Sequence, residues 1–169
     1  MLFDQVLAKR VSAREFTDEK VSDEDVNKLL DAAYKAPIAN GAYKDCMLTV
    51  IRDKELLKDL VKEYQLVTGK SKDPLFDAGL FILFSSKKDT SARFEDAGCV
   101  IENISLKATE MGLGSCYIRG AINSIGKDGK YIEKLSLDEG FYPVSGVVIG
   151  HVPSPTPPRK HEIKTNFIG

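Results

Sequence analysis

Apolar positions along the chain follow a helical period in some segments and run continuously in others. Val26, Leu29, Leu30 and Ala33 stand at i, i+3, i+4 and i+7, one stripe of a helix over Asp23–Lys35. Ser22 suits its N-cap and Pro37 stops it. Leu56, Leu57, Leu60, Val61 and Tyr64 repeat the stripe and predict a helix over Lys54–Tyr64. The longest helix is expected from about Ser91 to Met111. Its apolar residues, among them Ala97, Ile101, Ile104, Ala108 and Met111, occupy more than one face, as in a central buried helix. Gly112-Leu113-Gly114 ends it, since glycine readily takes the left-handed C-cap conformation. Leu2–Ala8 reads as a short helix, and a further one is expected over roughly Ser124–Leu135, across Gly126 and Gly129.

Met47–Ile51, Leu80–Ser85 and Val144–Ile149 are short unbroken apolar runs and read as buried strands; Cys116-Tyr117-Ile118 adds a shorter one. Ile38-Ala39-Asn40-Gly41 and the basic Gly69–Pro74 are loops, and the Pro-rich 153–169 is an extended tail. No repeat is visible. Helices and strands mix around one central helix, which predicts a single α+β domain over 1–169.

Composition narrows the function classes. The 169 residues, 43% hydrophobic and 29% charged, are those of a globular chain. Lys+Arg 24 against Asp+Glu 25 leaves a net charge of −1, without the basic footprint of a nucleic-acid binder. No run reaches the ~18 to 20 apolar residues of a membrane span, so no membrane partner is expected. Met1–Gln5 lacks the features of a signal peptide, and Cys46, Cys99 and Cys116 read as reduced thiols; both point to the cytoplasm. With only His151 and His161 beside them, no metal site is expected.

Familiar catalytic signals fail. Gly69-Lys70-Ser71 lacks the upstream glycine of a P-loop, the turn at Gly112 follows a helix instead of a strand, and no Gly-x-Ser-x-Gly elbow occurs. Glu95 and Asp96 read as a helix-start charge pair. Arg10-Val11-Ser12-Ala13-Arg14 is more informative. By itself it reads as a solvated charged turn. If extended, it turns Arg10, Ser12 and Arg14 to one side, two guanidinium forks around a hydroxyl, a good receptor for a phosphate.

Taken in order, these pieces resemble the nitroreductase family of FMN-dependent oxidoreductases. The likeness begins with Arg10-Val11-Ser12-Ala13-Arg14-Glu15-Phe16 and continues through Ala36-Pro37 and the Asn40 loop. It then takes in Glu102–Ala108 leading to Gly112-Leu113-Gly114-Ser115-Cys116, and Tyr142-Pro143-Val144 with the Pro-rich tail before Arg159. The resemblance implies a dimeric α+β sandwich, an antiparallel-type sheet flanked by helices, with FMN at the interface between two copies. It implies that Arg10, Ser12, Arg14 and Arg159 hold the phosphate and ribityl end, and that Lys70 and Lys72 of the Gly69–Pro74 loop contribute to the flavin region. Tyr117, Ile118, Arg119 and Gly120 would lie beside the ring, with the Arg119 backbone near N5, and Pro37, Ile38, Ala39 and Asn40 would reach it from the partner chain. The long helix would lie in the dimer core.

The implied reaction is ping-pong: NADH or NADPH gives hydride to FMN, and an oxidised small molecule such as a nitroaromatic or quinone takes the electrons. The chemistry would sit on the flavin, so no catalytic side chain is assigned. The chain departs from the family pattern in the loop, where Ile38-Ala39-Asn40-Gly41-Ala42 replaces serines and a Gln-Pro-Trp-like segment, in a bulky Arg119, and in lacking a helical excursion over the site. A flavin-binding or storage module without turnover is the alternative on the same fold. A relic that binds another phosphorylated ligand or a protein partner is the rival from a different class.

Overall fold

The structure is a computed structural model and describes residues 1–154, 157 and 161–169. Its elements in chain order are α1 (Phe3–Lys9), α2 (Asp23–Tyr34), β1 (Cys46–Ile51), α3 (Lys54–Thr68), β2 (Leu80–Ser86), α4 (Ala92–Glu110), β3 (Gly114–Ile118), α5 (Gly120–Ile125) and β4 (Tyr142–Gly150). Short 3₁₀ turns occupy Ala39–Gly41, Tyr43–Asp45 and Lys130–Leu135. The strands form one sheet in the order β1-β2-β4-β3, every neighbouring pair antiparallel.

Alternation along the strands divides the core. Ile82, Phe84, Val147 and Ile149 face α2 and α4, where Leu29, Ala33, Ile101 and Ile104 meet them. Phe81, Leu83, Val148 and Ile118 face the other way, onto Leu57, Leu60 and Tyr64 of α3 and Ile122 of α5. Helices therefore cover both faces, an α+β sandwich. The central strands β2 and β4 are apolar on both sides, which is why their sequences do not alternate with polar residues.

Local signals carried most helix boundaries. The Ser22 hydroxyl accepts from the Asp25 N–H at 3.1 Å and caps α2. Gly112, at φ 78°, closes α4 while the Leu113 N–H returns to the Ala108 carbonyl at 2.8 Å.

Two expectations are corrected. No helix spans Ser124–Leu135. Gly126, at φ 76°, stops α5, and Glu63 then accepts from the Lys130 and Tyr131 N–H groups at 2.6 and 2.9 Å to hold a separate 3₁₀ turn. Gly129 is needed between them: a Cβ there would stand 2.3 Å from Ile125 Cγ2. The second concerns β1, an edge strand in which only Ile51 is buried and Val50 is exposed, although its apolar run predicts full burial.

Candidate functional site

The basic segment after α1 is extended and lies along the free edge of the sheet. Ser12 forms a parallel bridge with Ser115 of β3, and the Ala13 N–H donates to the Ser115 carbonyl at 2.9 Å. Alternation then decides exposure: Ala13 is buried, whereas Arg10 and Ser12 are partly exposed and Arg14 is exposed. Arg10 Nε reaches Glu102 of α4 at 3.5 Å, leaving the terminal nitrogens of its fork free of that contact. Arg14 Nη1 lies 3.5 Å from the Ser12 carbonyl. Both residues also reach Cys116 of β3: burial pushes its thiol pKa up, while the Arg14 charge and a Ser12 hydrogen bond oppose that rise.

β3 leads from this segment to the second sequence-marked group. From Ser115 to Ile118 the strand advances about 10 Å. Tyr117 is exposed, its hydroxyl 3.0 Å from Ser145 Oγ on β4. The Ile118 side chain is buried among α3 and α5, so it offers a ligand only its backbone. Arg119 precedes α5 and carries its guanidinium over the Phe94 ring at 5.1 Å. At Gly120 an added Cβ would meet nothing within 4 Å, so the backbone there is open to approach by a flat ligand.

The loop after α2 forms the third group. Ala36 and Ile38 are buried, whereas Pro37 and Asn40 are exposed. Asn40, at φ 59° and ψ 16°, and Gly41, at φ 63°, are both left-handed. The Ala39 N–H donates to Asp96 Oδ1 at 2.8 Å, Lys88 Nζ donates to the Ala39 carbonyl at 3.1 Å, and Lys88 and Asp96 pair at 2.5 Å. Their side chains are 12% and 3% exposed. Asp96, read from sequence as one of a helix-start charge pair, is thus a buried anchor, satisfied by Lys88 eight residues before it and by the Ala39 amide of the loop.

Helix α4 supports all three groups, through Glu102 to Arg10, Phe94 to Arg119 and Asp96 to the loop. Sequence reasoning missed these supports. An acidic residue beside the buried Ala97 was the only local sign of Asp96, and Lys88 had none. Lys70 and Lys72 are exposed on the loop after α3; among the described residues no hydrogen bond or ion pair joins them to the other groups. Arg159 lies outside the described residues. A cavity of about 550 Å³ between Val21, Leu57, Leu75 and Ile149 is lined, among the described residues, by none of the marked ones, and a second of about 380 Å³ takes in Ile38 beside Tyr34, Cys46 and Phe84.

Comparison with known proteins gives these groups a context. Residues 7–151 match the model of the nitroreductase family. A curated relative from Bacillus subtilis, FMN reductase (NAD(P)H), is 30% identical over 163 residues, covering 83% of this chain and 61% of its own length. This chain therefore spans less than two thirds of that relative. A nitroreductase from Desulfitobacterium hafniense, solved with bound FMN, superposes with a TM-score of 0.87 at 20% identity, covering 99% of this chain and 98% of that one. An FMN-dependent nitroreductase from Clostridium difficile has a TM-score of 0.75 at 26% identity, with 96% and 98% covered.

Proposed function

The chain belongs to the nitroreductase family, and from that premise we propose that it is an FMN-dependent oxidoreductase, oxidising NADH or NADPH and reducing a small acceptor such as a nitroaromatic or quinone. The observation that carries the reading is the Ser12–Ser115 bridge. It holds the Arg10–Arg14 segment against β3, the strand that leads through Ile118 to the open backbone at Gly120, which supports reading the segment as the phosphate receptor and the strand end as the ring receptor.

The residues fit FMN. Arg10 and Arg14 supply planar forks for a phosphate dianion and Ser12 a hydroxyl. The Gly120 N–H opens α5, where the helix leaves its first amides unused, and can donate to a ring atom. Bound there, FMN would supply hydride acceptance and electron delivery. The protein's own part is to bind and orient. Tyr117 and the backbone of Ile118 and Arg119 flank the ring, Pro37–Asn40 of a second copy approach it, and Lys70, Lys72 and Arg159 contribute cations.

Exposed apolar groups support a homodimer. Leu2 and Phe3 at the start, Val50 on the sheet edge, and Ile163, Phe167 and Ile168 in the tail are all left uncovered by a single chain. Residues 1–169 act on this reading as one flavin-binding unit. The cytoplasm, where thiols stay reduced and nicotinamide donors are at hand, is its compartment; no helix among the described residues is long and apolar enough to cross a membrane.

The visible spectrum of the purified chain, before and after FMN is added and excess removed, tests the site. A retained yellow band that NADH or NADPH bleaches is the expected result. A retained band that neither donor bleaches would leave flavin storage in its place, and no band would remove the flavin altogether.

A further inference from the structure

Asp96 and Lys88 are the most deeply buried ion pair among the described residues, and no step so far uses them. Both ends of the pair act on a single peptide segment: the carboxylate accepts the Ala39 N–H and the ammonium donates to the Ala39 carbonyl. Burying two charges costs solvation, and a buried pair can often be replaced by apolar residues without loss of stability. What this pair adds is direction. Ala39 immediately precedes Asn40, whose left-handed backbone is uncommon for a residue with a side chain, and Asn40 is the polar side chain of Ile38-Ala39-Asn40-Gly41-Ala42. With alanines and a glycine around it, this loop offers a ligand only its backbone and Asn40, and both depend on the loop keeping one shape.

We propose that Asp96, bridged by Lys88, is a positioning residue for flavin binding: it locks Ala39–Gly41 in the conformation that presents Asn40 and the loop backbone to the ring end of the flavin in the partner's site. The inference rests on the FMN reading above. It reaches the ligand through the loop alone and not through the phosphate, so it separates ring affinity from phosphate affinity.

Titration of flavin-free protein with FMN and with riboflavin, followed by flavin fluorescence, tests it. Asp96→Ala is expected to weaken both ligands by the same factor, about tenfold, the scale of one lost charge-assisted hydrogen bond. Arg14→Ala is expected to weaken FMN alone, because riboflavin has no phosphate. Asp96→Asn, which keeps the volume, and Lys88→Met should show the same joint loss in smaller measure, and they serve if Asp96→Ala does not fold. Leu57→Ala, a core truncation in α3, controls for general destabilisation and should leave both affinities unchanged. Hydrogen exchange at the Ala39 amide, read without flavin, should accelerate in the Asp96 variants.

Unchanged riboflavin affinity in folded Asp96 and Lys88 variants, or the same loss in Leu57→Ala, overturns the inference while wild-type binding leaves the FMN reading intact. If the wild type binds neither flavin, the FMN reading falls and this inference with it.

Discussion

Arg14 and Arg10 carry the same charge in different settings, and the difference predicts different mutants. Arg14 is exposed and has no carboxylate partner among the described residues, whereas Arg10 shares Glu102. Arg14→Ala should therefore cost FMN affinity about ten- to hundredfold, the range of a lost charge-assisted contact, and equilibrium dialysis against FMN measures it directly. Glu102→Gln should free Arg10 for the ligand, so FMN affinity holds or rises; a fall would mean that Glu102 is needed to aim the guanidinium. The Cys116 thiol gives a pH prediction. Burial raises its folded pKa above the unfolded value of about 8.5. The stability gained is complete below that value and is lost as pH rises through the folded pKa. At pH near 8, iodoacetamide should label Cys116 far more slowly in native protein than in urea, and equal rates would contradict its burial. Burial of Ala13 between more exposed neighbours was legible, because extended backbone alternates by rule. Asp96 was not, because its burial is decided by Ala39 and Lys88, which no spacing in the sequence connects to it.

Elements were legible where period and caps agreed. Ser22 and the Val26–Ala33 stripe give α2 its start and its buried face, and Ser22→Ala should cost about 1 kcal/mol in urea unfolding. Where glycines interrupt a weak pattern, tertiary contacts decide, and so Glu63 on α3 divides the expected Ser124–Leu135 helix from outside that segment. Burial of β1 was misjudged for a related reason: an apolar run marks a strand but not its place in the sheet, and the order β1-β2-β4-β3 puts this one at the edge. The junction of β3 with the N-terminal segment carries the most specific prediction at this scale. A Cβ on Gly114 would lie 2.4 Å from Val152 Cγ1 and 2.9 Å from Ala13 Cβ. Gly114→Ala must therefore displace Val152 and shift the backbone at Ala13, in the middle of the Arg10–Arg14 segment. It should cost roughly 1–3 kcal/mol, the usual range for overpacking, and weaken FMN binding as well. Full affinity in a folded Gly114→Ala protein would mean that the bridge to Ser115 does not set the phosphate site.

For the whole molecule, the homodimer reading has the arrangement close only with a second copy. The described end of the tail leaves Ile163, Phe167 and Ile168 89%, 89% and 93% exposed. Water is a poor resting place for such side chains, each worth roughly 2 kcal/mol when buried. On the homodimer reading they are covered by the partner, and the Pro37–Asn40 loop that reaches the flavin also comes from the partner, so association and flavin retention are coupled. Phe167→Asp with Ile168→Asp should then raise the dimer dissociation constant by about 30-fold or more for each side chain removed. Sedimentation at micromolar concentration should find monomer, and the same sample should lose its flavin on gel filtration. The wild type should lose flavin on dilution at the concentration where the dimer dissociates. A doubly substituted chain that remains dimeric and yellow would mean that the tail is not the clasp, and would shift the interface to β1 and α1. A monomer that keeps its flavin would mean that one chain completes the site, and the partner's loop would then have no role in it.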